Sequence, residues 1–219
     1  MQLRNSLKVL QRQGVTTLAL VSISLVFGIS SITFGLKNQV SIPEPKVVPT
    51  SASNIISESP DVNVRPSEPL SIAIPKISLA ADEIISLGKN SDNSVEIPQG
   101  PNYDKPGWYK HSVTPGENGS SVILGHVDSY KSGPSVFFYL GELQPNDEVT
   151  ITREDSSKAV FRITEIRSVN KGNFPTNEVY GTSSTPTLKL VSCGGRFDKA
   201  TGEYENNIIV FASLVDFSV

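Results

Sequence analysis

The sequence predicts a mainly β body, a closed or nearly closed barrel of about seven or eight strands with short helices in its loops, tethered behind one membrane-spanning helix. Three observations carry that expectation. From residue 70 onward, apolar residues come in short runs cut by Gly, Pro, Asn and Asp, and no amphipathic helical pattern lasts beyond about two turns. Upstream, residues 14–36 form a stretch of 23 residues without a charge. At ~1.5 Å per residue that is roughly 35 Å of helix, enough for a ~30 Å hydrocarbon layer. Between the two, residues 38–69 hold six Pro and six Ser, and no aromatic occurs between Phe34 and Tyr103. Such a segment buries too little apolar surface to offset its ordering entropy, and reads as an extended tether.

The organisation expected is therefore a basic tail at 1–13, an anchor at 14–36, a Pro/Ser-rich linker at 37–69 and a folded body at 70–219. Arg4, Lys8, Arg12 and Lys37 give residues 1–37 a charge of +4, whereas the remainder holds 15 bases against 22 acids. Basic residues before the span put the N-terminus in the cytoplasm and the body outside. A cleaved signal peptide is the rival reading, but the run exceeds an ordinary ~7–15-residue apolar core and Ile32-Thr33-Phe34-Gly35 makes a poor cleavage site. Either way the body is exported.

An acidic body excludes nucleic acid as a partner, since phosphate binding needs a basic face. One cysteine excludes an internal disulfide framework and any multi-cysteine zinc site, two histidines leave little for metal ligation, and no metal or cofactor is expected.

Within the body, strands are expected at 70–74, 82–87, 121–125, 148–153, 159–169, 187–192 and 207–215. Val160, Arg162, Thr164 and Ile166 alternate with Phe161, Ile163, Glu165 and Arg167, a period of two. Asn118-Gly119 and Pro145-Asn146-Asp147 are turns that precede strands. Residues 137–143 suit one helical turn with Phe137 and Leu140 facing the core.

The chemistry lies at two strand ends. Cys193 is the lone cysteine of an exported chain, where a thiol is exposed to oxidation and calls for a reason. The bland alternative is a buried Cys acting as a small apolar residue. Its context is a strand, Thr187-Leu188-Lys189-Leu190-Val191-Ser192, followed by Gly194-Gly195, which frees the backbone to turn and leaves the sulfur accessible. His126 likewise ends the apolar run 120–125. A thiolate that attacks a carbonyl and an imidazolium that protonates the departing amine suffice for acyl transfer. His111 sits in a loop and is expected at the rim. Asp128 either orients the imidazole or is a solvated turn residue. Arg196 and Asn207 follow Cys193 as candidate stabilisers of the oxyanion.

These pieces together resemble the sortase family, most closely its class F group. Ile72-Ala73-Ile74-Pro75-Lys76-Ile77 is similar to the family's opening strand, residues 119–128 to its histidine motif, residues 188–195 to its cysteine motif, and residues 204–210 to its final strand. The resemblance covers about residues 70–219. It implies an eight-stranded barrel with His126 and Cys193 on neighbouring strand ends. It also implies a cysteine transpeptidase, in the hydrolase class acting on peptide bonds. Such an enzyme cuts an LPxTG-like sorting signal of secreted proteins between Thr and Gly, and passes the chain to a peptidoglycan-precursor amine at the cell wall. The sequence departs from the family at two places. Lys189-Leu190-Val191-Ser192-Cys193 stands where Thr-Leu-x-Thr-Cys is usual, with Lys189 expected to face outward. Asn207 stands where an arginine usually opens the final strand, so either Asn207 is a neutral donor or Arg196 reaches in. A cysteine hydrolase of the same fold and a catalytically silent wall-binding module are the alternatives. Retention of both Cys193 and His126 argues against the second.

Overall fold

Nine strands form one continuous sheet in the computed structural model, which describes residues 41–46, 64–129 and 132–219. The strands are β1 (Pro69–Ile74), β2 (Leu79–Ala81), β3 (Ile85–Leu87), β4 (Gly107–Tyr109), β5 (Gly119–Leu124), β8 (Glu148–Arg153), β9 (Lys158–Asn170), β10 (Pro186–Asp198) and β11 (Glu203–Ser218), and the pairs β6 (Asp128–Ser129) and β7 (Gly133–Pro134) make a separate hairpin. The order across the sheet is β2-β1-β8-β9-β11-β10-β5-β4-β3. The expected membrane helix at 14–36 lies outside the described residues, and among those residues no helix is long and apolar enough to cross a membrane.

The two edges, β2 and β3, are consecutive in the chain, so the sheet curls back on itself. The Ile84 N–H donates to the Leu70 carbonyl at 2.9 Å, and the Ile85 N–H to the Pro106 carbonyl at 3.0 Å. The sheet is thus curled but open, its two edge strands joined by a chain connection and not by a ladder. It has nine strands where eight were expected, because three-residue strands such as β2 and β4 are too short to show a two-residue period.

Central strands bury both faces. Ile123, Leu188, Leu190, Ile208 and Val210 face the interior with Phe137, Leu140 and Phe161. Val122, Leu124, Val191, Ile209 and Phe211 face the other way, with Val179 of the one α-helix among the described residues, α1 (Thr176–Tyr180). Two buried faces explain why β5, β10 and β11 read as continuous apolar runs. Lys189, expected to face outward, does lie on the Val191 side, away from the interior, but it is only 8% exposed, its ammonium 5.0 Å from the centroid of the Phe211 ring. Burial pushes the Lys189 pKa down, helped by Arg167, while Glu178 opposes the shift.

Strict alternation in β9 also fails at one residue. The ladder pairs Phe211 with Glu165 but Ala212 with Ile163, so Thr164 is an extra residue in a bulge. Its hydroxyl donates to the Phe211 carbonyl at 3.1 Å. The extra residue reverses the parity, and Ile166 packs against the same core as Phe161 and Ile163.

Described residues within the stretch expected to be a linker contact the sheet. The buried Arg153 guanidinium donates to the carbonyls of Arg65 and Ser67 and to the Ser157 hydroxyl. Further upstream, the Glu44 carboxylate accepts from the Gly195 N–H.

Candidate active site

β5 and β10 run parallel, with Leu124 opposite Val191 as their last registered pair. The Gly125 N–H still donates to the Val191 carbonyl at 3.1 Å. His126 and Cys193 each lie two residues beyond that pair. Because parallel neighbours are ~4.8 Å apart and run in the same direction, both residues stand at the same end of the two strands, equally far past the last pair. Cys193 shares the alternation of Val191, and so lies on the face covered by α1. β10 does not stop there, as the sequence suggested. It runs on to Asp198 through a register shift between Gly194 and Phe197, with Gly195 at φ +78°. The glycines make a bulge rather than a turn: a Cβ on Gly194 would come within 2.6 Å of Ile208, and Gly195 takes the left-handed conformation.

The half-buried His126 is held from several directions. Its carbonyl accepts from the Phe137 N–H at 3.0 Å. Its Nε2 lies 2.8 Å from the Pro98 carbonyl. A carbonyl oxygen only accepts, so Nε2 carries the hydrogen and Nδ1 is the nitrogen able to take up a proton. The ring stacks on Tyr103, centroids 3.8 Å apart and planes 3° from parallel.

Cys193 is half-buried and reduced. Burial pushes its thiol pKa up; Lys171 pulls it down, and Glu203 and Asp128 push it up. Lys171 and Glu203 pair with each other at 2.9 Å. Lys171→Met should therefore move the pH midpoint of Cys193 alkylation upward, because it removes the cation that favours thiolate and unpairs Glu203. Glu203→Gln should move it downward. Iodoacetamide rates across pH measure both, and a downward move in Lys171→Met would contradict this electrostatic account.

Asn207 is the cross-strand partner of Cys193, and its amide donates to the Ser192 carbonyl at 3.2 Å. Arg196 projects elsewhere: its guanidinium is 81% exposed and its Nε donates to Glu205 at 3.0 Å. Ser192 keeps a hydroxyl, but that Oγ is buried without a hydrogen-bond partner. His111 is exposed, edge-on to Tyr109 at 5.4 Å. Asp128 meets two tyrosines: its carboxylate accepts from the Tyr204 hydroxyl at 2.6 Å, and its carbonyl from the Tyr103 hydroxyl at 3.0 Å. Burial and the Asp128 charge push both phenol pKa values up, so both remain donors at neutral pH. Neither tyrosine stood out as a site residue in the sequence. The one local signal was Tyr103 as the first aromatic after a long aromatic-free stretch.

The sortase domain model matches residues 72–215. The chain belongs to the sortase family. The family's curled, mainly β fold recurs in solved structures. Sortase A from Corynebacterium diphtheriae is 20% identical, with a TM-score of 0.52; the match covers 71% of this chain and 63% of that one. Sortase C from Streptococcus pneumoniae is 17% identical, with a TM-score of 0.51 and coverage of 68% and 67%. Sortase C1 from Streptococcus agalactiae is 19% identical, with a TM-score of 0.51 and coverage of 67% and 66%. The chain thus spans just under two thirds of the length of the Corynebacterium structure. At these identities the likeness is one of fold. No curated protein matches the chain in sequence.

Proposed function

We propose that this sortase, of the class F type by its motifs, is a membrane-anchored cysteine transpeptidase. It cleaves an LPxTG-like signal at the C-terminus of secreted proteins and transfers them to a cell-wall amine. What supports this reading is that His126 and Cys193 each stand two residues past Leu124 and Val191, the last registered pair of two parallel strands. The Cys193 thiolate attacks the scissile carbonyl carbon, forming a C–S bond. The tetrahedral intermediate expels the amine as the C–N bond breaks, and His126 imidazolium gives that amine its proton. An acceptor amine then attacks the thioester, loses its proton to the imidazole, and releases the thiolate as the C–S bond breaks.

A sorting-signal peptide, assayed with and without a primary amine, tests the reading. The expected result is a ligated product that replaces any hydrolysis product as amine is added. Hydrolysis alone, at every amine concentration, would assign the chain to the hydrolase alternative; no cleavage of any threonine-containing peptide would favour a binding module.

The anchor at 14–36 and an external body complete the proposal. Protease added to intact cells should remove the body and spare the tail; a body protected until lysis would reverse the orientation.

For the oxyanion, Asn207 is the favoured donor. It is held in the ladder opposite Cys193, whereas Arg196 is exposed and paired with Glu205. Loss of one donor typically costs ~10²–10³-fold in turnover. In single-turnover acylation, Asn207→Ala should show a loss of that order and Arg196→Ala a mild one. The reverse pattern would transfer the role to Arg196, and two mild effects would leave the oxyanion to backbone N–H groups.

A further inference from the structure

The tyrosine pair around Asp128 has no part in the chemistry above, yet it touches the histidine on which that chemistry depends. An imidazole has two soft torsions to fix before its nitrogens point in one direction. The Pro98 carbonyl holds Nε2 but leaves the ring free to swing about that hydrogen bond. Tyr103 removes that freedom: its ring lies flat on the imidazole, at 3.8 Å and 3°. Tyr103 is itself tied at its far end, through its hydroxyl, to the Asp128 carbonyl. Asp128 is tied in turn through its carboxylate to Tyr204 on β11, and the Tyr204 ring packs edge-on against Phe197 of β10, 5.1 Å between centroids. A chain of contacts thus runs from the strand that carries Cys193 to the ring plane of His126. A flat aromatic face also attracts imidazolium more than neutral imidazole, the charge state that delivers the proton.

We propose that Tyr103 is a positioning residue for the acid–base histidine, fixing the plane of the His126 ring, and that Tyr204 supports it through Asp128. This rests on the reading of His126 and Cys193 as the reacting pair. It also favours the first of the two sequence expectations for Asp128, orientation of the imidazole, and makes that action indirect, through the tyrosines.

The test uses the full chain, with Tyr103→Phe, Tyr103→Leu, Tyr103→Gln and Tyr204→Phe, and follows kcat, KM for a sorting-signal peptide and thermal melting. Phe keeps the stacked face and loses one hydrogen bond, so its kcat should stay within about tenfold of the parent. Leu and Gln lose the face, and kcat should fall by about 10²-fold with a smaller change in KM, since misplacement of a reacting group by ~1 Å costs that much. Tyr103 is only half-buried, so both non-aromatic variants are expected to fold, which thermal melting checks. Tyr204→Phe should lower kcat by less than Tyr103→Leu. A spectroscopic reading is independent of turnover. The chain has only two histidines, so His111→Ala assigns the remaining imidazole C–H resonances to His126. Those resonances should be displaced upfield by the Tyr103 ring current in the parent and in Tyr103→Phe, and return toward free-histidine positions in Tyr103→Leu or Tyr103→Gln. If folded Tyr103→Leu and Tyr103→Gln keep parental kcat while His126→Ala loses it, the positioning role is overturned and the reacting pair stands. Parental turnover in His126→Ala overturns both. His126 resonances without ring-current displacement in the parent also overturn the positioning role.

Discussion

Cys193→Ala is expected to abolish acyl transfer while leaving the sheet folded. The substitution deletes one sulfur atom from a half-buried position in β10 and leaves the ladder to Asn207 intact. No neighbouring side chain can replace a thiolate: Ser192 is buried, and Asn207 is an amide. Thermal melting should change little, which separates loss of chemistry from loss of structure. Substantial turnover in a folded Cys193→Ala protein would remove the thioester from the mechanism.

His126→Ala should lower turnover by ~10²–10⁴-fold, the usual worth of a positioned proton donor. Both steps suffer, because the leaving amine loses its acid and the acceptor amine loses its base. KM for the peptide should move far less. His111→Ala is the internal control: that ring is exposed, contacts Tyr109 edge-on, and should be nearly silent. Equal losses in the two variants would mean that neither histidine acts by proton transfer.

The strands that carry the pair were legible because they are long and apolar. β8 matches its expected limits, and β5, β9, β10 and β11 were each found within a few residues at their N-terminal ends. β10 and β11 extend further because Gly194-Gly195 forms a bulge and not a stop, a distinction that depends on β11 lying alongside. Lys189 does point away from the interior, as expected, but it is buried there, because α1, a five-residue helix with no detectable period, packs on that side of the sheet. His126 and Cys193 drew notice by context alone, each at the end of an apolar run, and the β5–β10 register carries both the same distance past its last pair. Tyr103 and Tyr204 drew no such notice. The Tyr204–Asp128 hydrogen bond joins residues 76 apart in sequence, and no local pattern reports a contact made by folding at that distance.

The central claim is a covalent acyl group on Cys193, and intact-protein mass spectrometry of the chain mixed with a sorting-signal peptide tests it most directly. The account predicts a mass increase equal to the acyl fragment N-terminal to the scissile bond, mapped to the Cys193 peptide, labile to hydroxylamine and discharged by an added primary amine. Product formation from a protein that never carries the adduct, or an adduct mapped to any other residue, would contradict it.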